Sequence, residues 1–358
     1  MFAYLGPAAN AGLNSCVKKQ VRASTGVRQA KEDVLFSKDH FLWDNWSVYD
    51  SVKNAYFRFS LSAPREVLPD GRHSVASLRY FVSKDGKTWT DLGLLLKSTQ
   101  KYKIWSGSAR SNPNGTIDVY YTQSFNDPSQ TQVLRQLTFR PASESGAKPV
   151  LINDRILLDP RNPDIVKQGS KLHYHFGTKD GLVSAFRDPF LFDGEIYFAT
   201  KREVSADAVE ATIGRCKIDP DSGKITLLAP DTPPVKGAYT QVEVPNLLRV
   251  GKEKFLFVSV SDAAPGKTRF QVKTSIQVFR ASSDHGPWVA AAKDGAVLFS
   301  NESRIYALNL VSGSYNPTNG TVLATGFYRN SHSHSYSGTQ LIQLKISDGV
   351  VSAVAQKE

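Results

Sequence analysis

From Phe41 onward the chain is built of short apolar or alternating runs, each closed by a turn signal. Residues 77–83 (Ser-Leu-Arg-Tyr-Phe-Val-Ser), 116–122, 195–200, 254–260 and 340–346 are rich in Val, Ile, Phe, Tyr and Thr. Branched and flat side chains fit a pleated surface, so these runs predict strands. Between the runs fall Asp85-Gly86, Asn114-Gly115, Asp193-Gly194, Asp221-Ser222-Gly223, Asn319-Gly320 and Asp348-Gly349. Such pairs tolerate the positive φ that tight hairpin turns demand. Amphipathic helical stretches are few, and the expectation is an all-β protein. Residues 1–35 read as an irregular lead-in, and 36–358 as a single domain without a second composition regime. The candidate acids discussed below belong to different four-strand groups. That layout favours a β-propeller, each blade sending its inner strand to a shared axial pocket, over a two-sheet sandwich. Internal self-similarity is too weak to show the repeat directly.

Composition narrows the picture slightly. With 358 residues, 41% apolar and 22% charged, the chain can bury a substantial core. No stretch reaches the ~18 uninterrupted apolar residues of a membrane span, so no membrane partner is expected. Lys and Arg number 44 against 33 Asp and Glu, a net charge of +11, but they are scattered. The one concentrated basic stretch, Lys18, Lys19, Arg22, Arg28 and Lys31, has no interleaved aromatics, and no nucleic-acid partner is expected. Cys16 and Cys216 allow one disulfide and define no metal framework. The start, Met1-Phe2-Ala3-Tyr4-Leu5-Gly6-Pro7, lacks the charged and apolar regions of a secretory signal.

Three acids stand in settings suited to chemistry on a sugar. Asp44 lies between Trp43 and Trp46, where indole walls exclude water and stack on a sugar ring. In isolation the plainer reading is favoured, with the two tryptophans as core residues and Asp44 as a turn residue. In Phe186-Arg187-Asp188-Pro189 the proline is expected to hold Asp188 extended, with Arg187 keeping it charged. A local ion pair at a strand start is the plainer reading. Glu243 sits in the strand-like Gln241-Val242-Glu243-Val244-Pro245, whose apolar neighbours suit a raised pKa. Trp105-Ser106-Gly107-Ser108-Ala109 adds a tryptophan and a hydroxyl. Ser106 and polar Asn45 are expected to help keep Asp44 ionised.

Together, Leu42-Trp-Asp-Asn-Trp46, Trp105-Ser-Gly-Ser-Ala109, Phe186-Arg-Asp-Pro189 and Gln241-Val-Glu243 resemble the motifs of glycoside hydrolase family 68, in family order. The segment 72–86 looks like the family's second-strand region, and the resemblance covers roughly residues 40 to 345. It implies a five-bladed β-propeller with an axial pocket, sucrose as fructosyl donor, and a retaining double displacement. Asp44 would be the nucleophile, Glu243 the acid/base, and Asp188 the stabiliser of the transition state. Trp43, Trp105, Ser106, Arg187 and Gln241 would bind substrate. No cofactor and no metal are expected, and the resemblance implies an extracellular or periplasmic protein.

The chain departs from the family at Val244, where an arginine usually follows the acid/base. The next strand also lacks the usual Arg or His, which puts the glucose side in doubt; Arg249 and Arg269 are the candidates to compensate. An invertase-type hydrolase would show Asn-Asp-Pro-Asn and Glu-Cys motifs, both missing. A non-catalytic carbohydrate-binding propeller is a further alternative. The pairs His173-x-His175 and His332-x-His334 would share a strand face, but no third ligand is near in sequence.

Overall fold

A computed structural model describes Leu35 and residues 37–67, 69–127, 130–142, 147–176, 185–206, 208–219, 222–237, 239–263, 267, 271–329 and 336–354. Cys16, Arg269, His332, His334 and the lead-in up to residue 34 lie outside the described residues. Five antiparallel sheets follow one another along the chain and form the blades of a propeller. Their inner strands are His40–Asp50, Tyr102–Ser111, Arg187–Phe192, Gln241–Val250 and Ile305–Leu310. These touch their neighbours in a closed ring, the first meeting both the second and the fifth. Among the described residues the sheets form this ring and not a two-sheet sandwich.

The pattern of apolar runs has a direct cause in this geometry. The second strands of the first four blades, Ala55–Pro64, Ile117–Phe125, Glu195–Ser205 and Glu253–Ser261, are buried over most of their length. A strand covered on both faces reads as a continuous apolar run. The core accordingly sits between blades. One cluster joins Phe59, Tyr80, Val119 and Phe139 of the first two blades, and another joins Phe257, Val278, Val322 and Leu344 of the last two. Two of the turn pairs have both residues at positive φ, Asp193 and Gly194 at 49° and 78° and Asp348 and Gly349 at 53° and 74°, while Asp221 lies outside the described residues. Both pairs close two-residue hairpins of the type that needs positive φ twice.

The ring is closed near its start. Gly338 N donates to the Leu35 carbonyl at 2.9 Å, tying the chain before the first blade to the fifth. The segment 72–86 differs from its expected place. Arg72 and His73 lie in a 3-10 helix, Pro69–Ser74, and Ser77–Ser83 is the third strand of its blade.

Every inner strand slips register once. The slips fall at Asp44, at Ser106, at Asp188-Pro189, at Val244-Pro245 and at Ala307-Leu308. Asp44, Asp188, Val244 and Ala307 adopt left-handed backbones, with φ of 44°, 59°, 51° and 49°. Bulges re-aim side chains and free backbone groups from the ladder. Buried asparagines satisfy those groups. Asn246 Nδ2 donates to the Val244 and Leu308 carbonyls, both at 3.1 Å, while its Oδ1 accepts from Leu310 N at 2.8 Å. Asn309 Nδ2 donates to the Asn45 carbonyl at 3.3 Å.

Candidate active site

The bulges bring the three acids together at one end of the propeller axis. Each of Asp44, Asp188 and Glu243 feels the charge of the others or of Arg187. Arg187 is the clamp. Its Nη2 donates to Glu243 Oε1 at 2.7 Å and to Gln241 Oε1 at 2.8 Å, and its Nε lies 3.9 Å from Asp188 Oδ2. Asp188 is held from two further sides. Val244 N donates to its Oδ2 at 3.1 Å, and its own N–H donates to Thr122 Oγ1 at 2.9 Å. Thr122 in turn donates to the Ser106 carbonyl at 3.0 Å, so one hydroxyl joins two bulges.

Glu243 has both carboxylate oxygens engaged. Oε1 takes Arg187, and Oε2 takes the hydroxyl of Tyr306 from the fifth blade. Arg329 stands behind that ring, its Cζ 5.7 Å from the centroid, and its Nη1 donates to Thr274 Oγ1 at 3.1 Å. Burial and the Glu243 charge push the Tyr306 hydroxyl well above its ordinary range. It therefore enters the site as a neutral donor.

The wall beside Asp44 is aromatic and basic. Arg72 lies over the Trp43 ring at 5.3 Å, and His73 meets Trp43 edge to face at 5.4 Å. Trp105 Nε1 donates to the His73 carbonyl at 3.4 Å.

Several expectations are corrected. Asp188 is left-handed and not extended: Pro189 disfavours the right-handed helical region for the residue before it, and the bulge selects the other available basin. Asn45 and Ser106 do not hold Asp44 ionised. The Asn45 amide is fully buried and donates to the Gly326 carbonyl at 3.1 Å, and the Ser106 hydroxyl has no partner among the described residues. Burial first, then repulsion from Asp188 and Glu243, pushes the Asp44 carboxyl well above its ordinary range, against the pull of Arg72 and Arg187. Burial also lifts Asp188 to about 7, against the pull of Arg187. The apolar neighbours credited with tuning Glu243 pack away from it: Val242 and Val244 each join a core cluster. Trp46 is a core residue, stacked on Phe59 at 6.0 Å, while Trp43 borders the site.

Arg249 does not compensate for Val244. It is spent at the far end of its strand on Asp193 and Asp284, both at 2.8 Å. Tyr306 and Arg329 are the fifth blade's contribution on that side. His173 and His175 do not share a strand face, because His173 follows the helix Pro163–Lys171 with φ of 60°. His175 instead sits 3.3 Å from Glu203. Sequence reading missed Arg72, Thr122, Tyr306 and Arg329. Only the bulge alignment finds Tyr306, which occupies in the fifth strand the position that Trp43, Trp105, Arg187 and Glu243 occupy in the others.

The same fold is found in solved structures. An inulosucrase from Halalkalicoccus jeotgali bound to kestose superposes with a TM-score of 0.68 at 20% identity, covering 91% of this chain and 92% of that one. Bacillus subtilis levansucrase gives 0.64 at 15% identity, covering 91% and 88%. Among sequences, an extracellular sucrase of Zymomonas mobilis is 28% identical over 200 residues, 52% of this chain and 47% of that protein. A levansucrase of Streptococcus salivarius is 23% identical over 160 residues, 43% of this chain and 16% of that protein. The chain thus spans about half or less of the length of these relatives. The family described as Levansucrase/Invertase matches residues 14–258, more than half of the chain. The chain belongs to glycoside hydrolase family 68, the levansucrase/invertase family.

Proposed function

We propose that this protein transfers a fructosyl unit from sucrose, or a related fructoside, to water or a sugar acceptor, with retention. The observation that carries the reading is the convergence of Asp44, Asp188 and Glu243 from three bulged strands on one Arg187 clamp. Asp44, as the carboxylate, attacks the anomeric carbon and forms an ester while the bond to the leaving oxygen breaks. Glu243 gives its proton to that oxygen. It then takes a proton from the incoming hydroxyl, whose oxygen bonds to the anomeric carbon as the bond from that carbon to Asp44 breaks and Asp44 returns as a carboxylate. Arg187 and the Tyr306 hydroxyl hold the two Glu243 oxygens in position through both steps.

Asp188 binds ring hydroxyls and stabilises the oxocarbenium-like transition state in this reading, which the orientation of its carboxylate by Val244 N and Arg187 supports. Trp43 and Trp105 wall the fructosyl subsite, with Ser106 beside them, and Gln241 holds Arg187 in place. The relative named an extracellular sucrase favours action outside the cytoplasm for this chain as well. Incubation with sucrose followed by chromatography tests the reading, with free fructose, oligosaccharides or fructan expected and Asp44→Ala inactive. A parent protein that turns over no fructoside overturns it.

One observation favours a second reading, a sugar-binding propeller without turnover. The position after Glu243 carries Val244, buried in the core and not a cation facing the leaving group. Calorimetry showing sugar binding together with no turnover would select it.

A further inference from the structure

Lys103 is 7% exposed, yet its ammonium has no hydrogen-bond partner among the described residues. Its Nζ lies 5.4 Å from the centroid of the Trp105 ring. Burial lowers its pKa, and Asp127 is the acid that pulls the other way. A nearly buried ammonium ordinarily carries a paired carboxylate or several acceptors, because desolvating it is costly. Among the described residues Lys103 has neither, Asp127 acting on it through its charge and not through a bond.

Two more basic groups stand beside it. Arg72 spans the rings of Trp43 and Tyr336, at 5.3 and 4.1 Å. The His73 ring is enclosed between Trp43 and Trp105, at 5.4 and 6.4 Å, although the residue keeps part of its surface in solvent. Burial, then the charges of Arg72, Lys103 and Arg187, lowers the His73 pKa well below its ordinary value, which places all three cations around one imidazole. Arg187 is engaged by Glu243 and Asp188. Arg72 is the cation whose charge acts most on Asp44. Lys103 is left over. Neutral sugar hydroxyls give little return for an ammonium on a mostly buried side chain, whereas an anionic group gives a charge-assisted bond at each donor.

We propose that Lys103, with Arg72 and His73, binds a phosphate group carried on the fructosyl unit, so that the substrates include a phosphorylated fructoside. The inference rests on the fructosyl reading above. The arc contacts Trp43 and Trp105, the walls assigned above to the fructosyl subsite, whereas none of its three residues is bonded to Tyr306 or Glu243 among the described contacts. The phosphate therefore belongs to the transferred sugar and not to the leaving one.

Calorimetry on the full chain with fructose 6-phosphate, fructose and inorganic phosphate tests this. Fructose 6-phosphate is expected to bind at least about tenfold more tightly than fructose, a difference of about 1.4 kcal/mol. Lys103→Gln should bring that ratio close to one, while Lys103→Arg, which keeps the charge, should retain most of it. Thermal unfolding of both variants checks that they fold. Equal affinity for the two sugars, or a ratio that survives Lys103→Gln, overturns the proposal. Inorganic phosphate binding as tightly as the sugar phosphate also overturns it, since the site would then take the free ion. Sucrose turnover by the same preparation separates the two readings: turnover with equal sugar affinities sinks only the phosphate assignment, and failure on every fructoside sinks the fructosyl reading beneath it.

Discussion

At the scale of single residues, the charge state of the site is set by burial against two arginines. Asp188 is lifted to about 7, mainly by burial. A carboxyl raised in the folded state binds its proton more tightly there than in the unfolded chain. Its contribution therefore favours folding at low pH and is lost as pH rises from about 4 through 7. Asp188→Asn removes this titration and keeps an acceptor for Val244 N. The variant is expected to unfold at least roughly 2 °C higher at pH 8, with the gap closing toward pH 4, and to lose at least about 100-fold in kcat. Calorimetric melts across pH read the first effect and initial rates the second; a variant less stable at pH 8 would contradict the sign. Tyr306 gives a separate prediction, because its hydroxyl holds Glu243 Oε2. Tyr306→Phe should lower kcat about 10- to 100-fold and move a limb of the pH–rate profile, with a smaller effect on KM. A kcat loss with an unmoved profile would mean that the hydroxyl serves packing alone.

At the scale of elements, the inner strand with its bulge is the working unit, and this is where sequence was least legible. Alternation and Asp-Gly pairs reveal strands and hairpins because burial and positive φ leave local signatures. Asp193-Gly194 shows this, with both residues left-handed. A bulge leaves almost none. Asp44, Ser106, Asp188, Val244 and Ala307 share one structural position but no common residue type, so the five-fold repeat is silent in the sequence. The acids were visible as motifs. Their supports were not, since Thr122 and Tyr306 act across blades from more than sixty positions away. The buried asparagines are the devices that make the bulges tolerable. Asn246→Ala would strip acceptors and donors from Val244, Leu308 and Leu310 at once. Leaving buried backbone groups unpaired is expected to cost about 2–4 kcal/mol in urea unfolding, and to lower activity because Val244 N steers Asp188. A loss below about 1 kcal/mol would show that the ladder repairs itself without the amide.

At the scale of the whole molecule, the site exists only while the ring is closed, because its residues come from all five blades and each blade meets its neighbours through a shared core. The first and fifth blades are joined by the backbone bond from Gly338 to Leu35 and by Leu35 itself, which is 5% exposed and packs with Leu42 and Phe81. Gly338 is needed at that seam. A Cβ there would meet the Asn45 side chain at 2.9 Å and Leu35 Cβ at 3.0 Å, and Asn45 directly follows Asp44. Pressure on the seam is thus transmitted to the first acid. Leu35→Ala should destabilise by about 2–4 kcal/mol, the cost of emptying a buried leucine site. The form of the transition is the more informative readout. Clusters that bridge every pair of neighbouring blades, such as the one holding Trp43, Phe139, Val244 and Phe327 together, predict that the whole propeller unfolds in one step at a lower temperature. Fluorescence and calorimetric melts of Leu35→Ala should coincide. A separate low-temperature step confined to the fifth blade would instead make that blade an independent unit, and loss of activity would then track this first step, because Tyr306 would leave Glu243 before the other four blades opened.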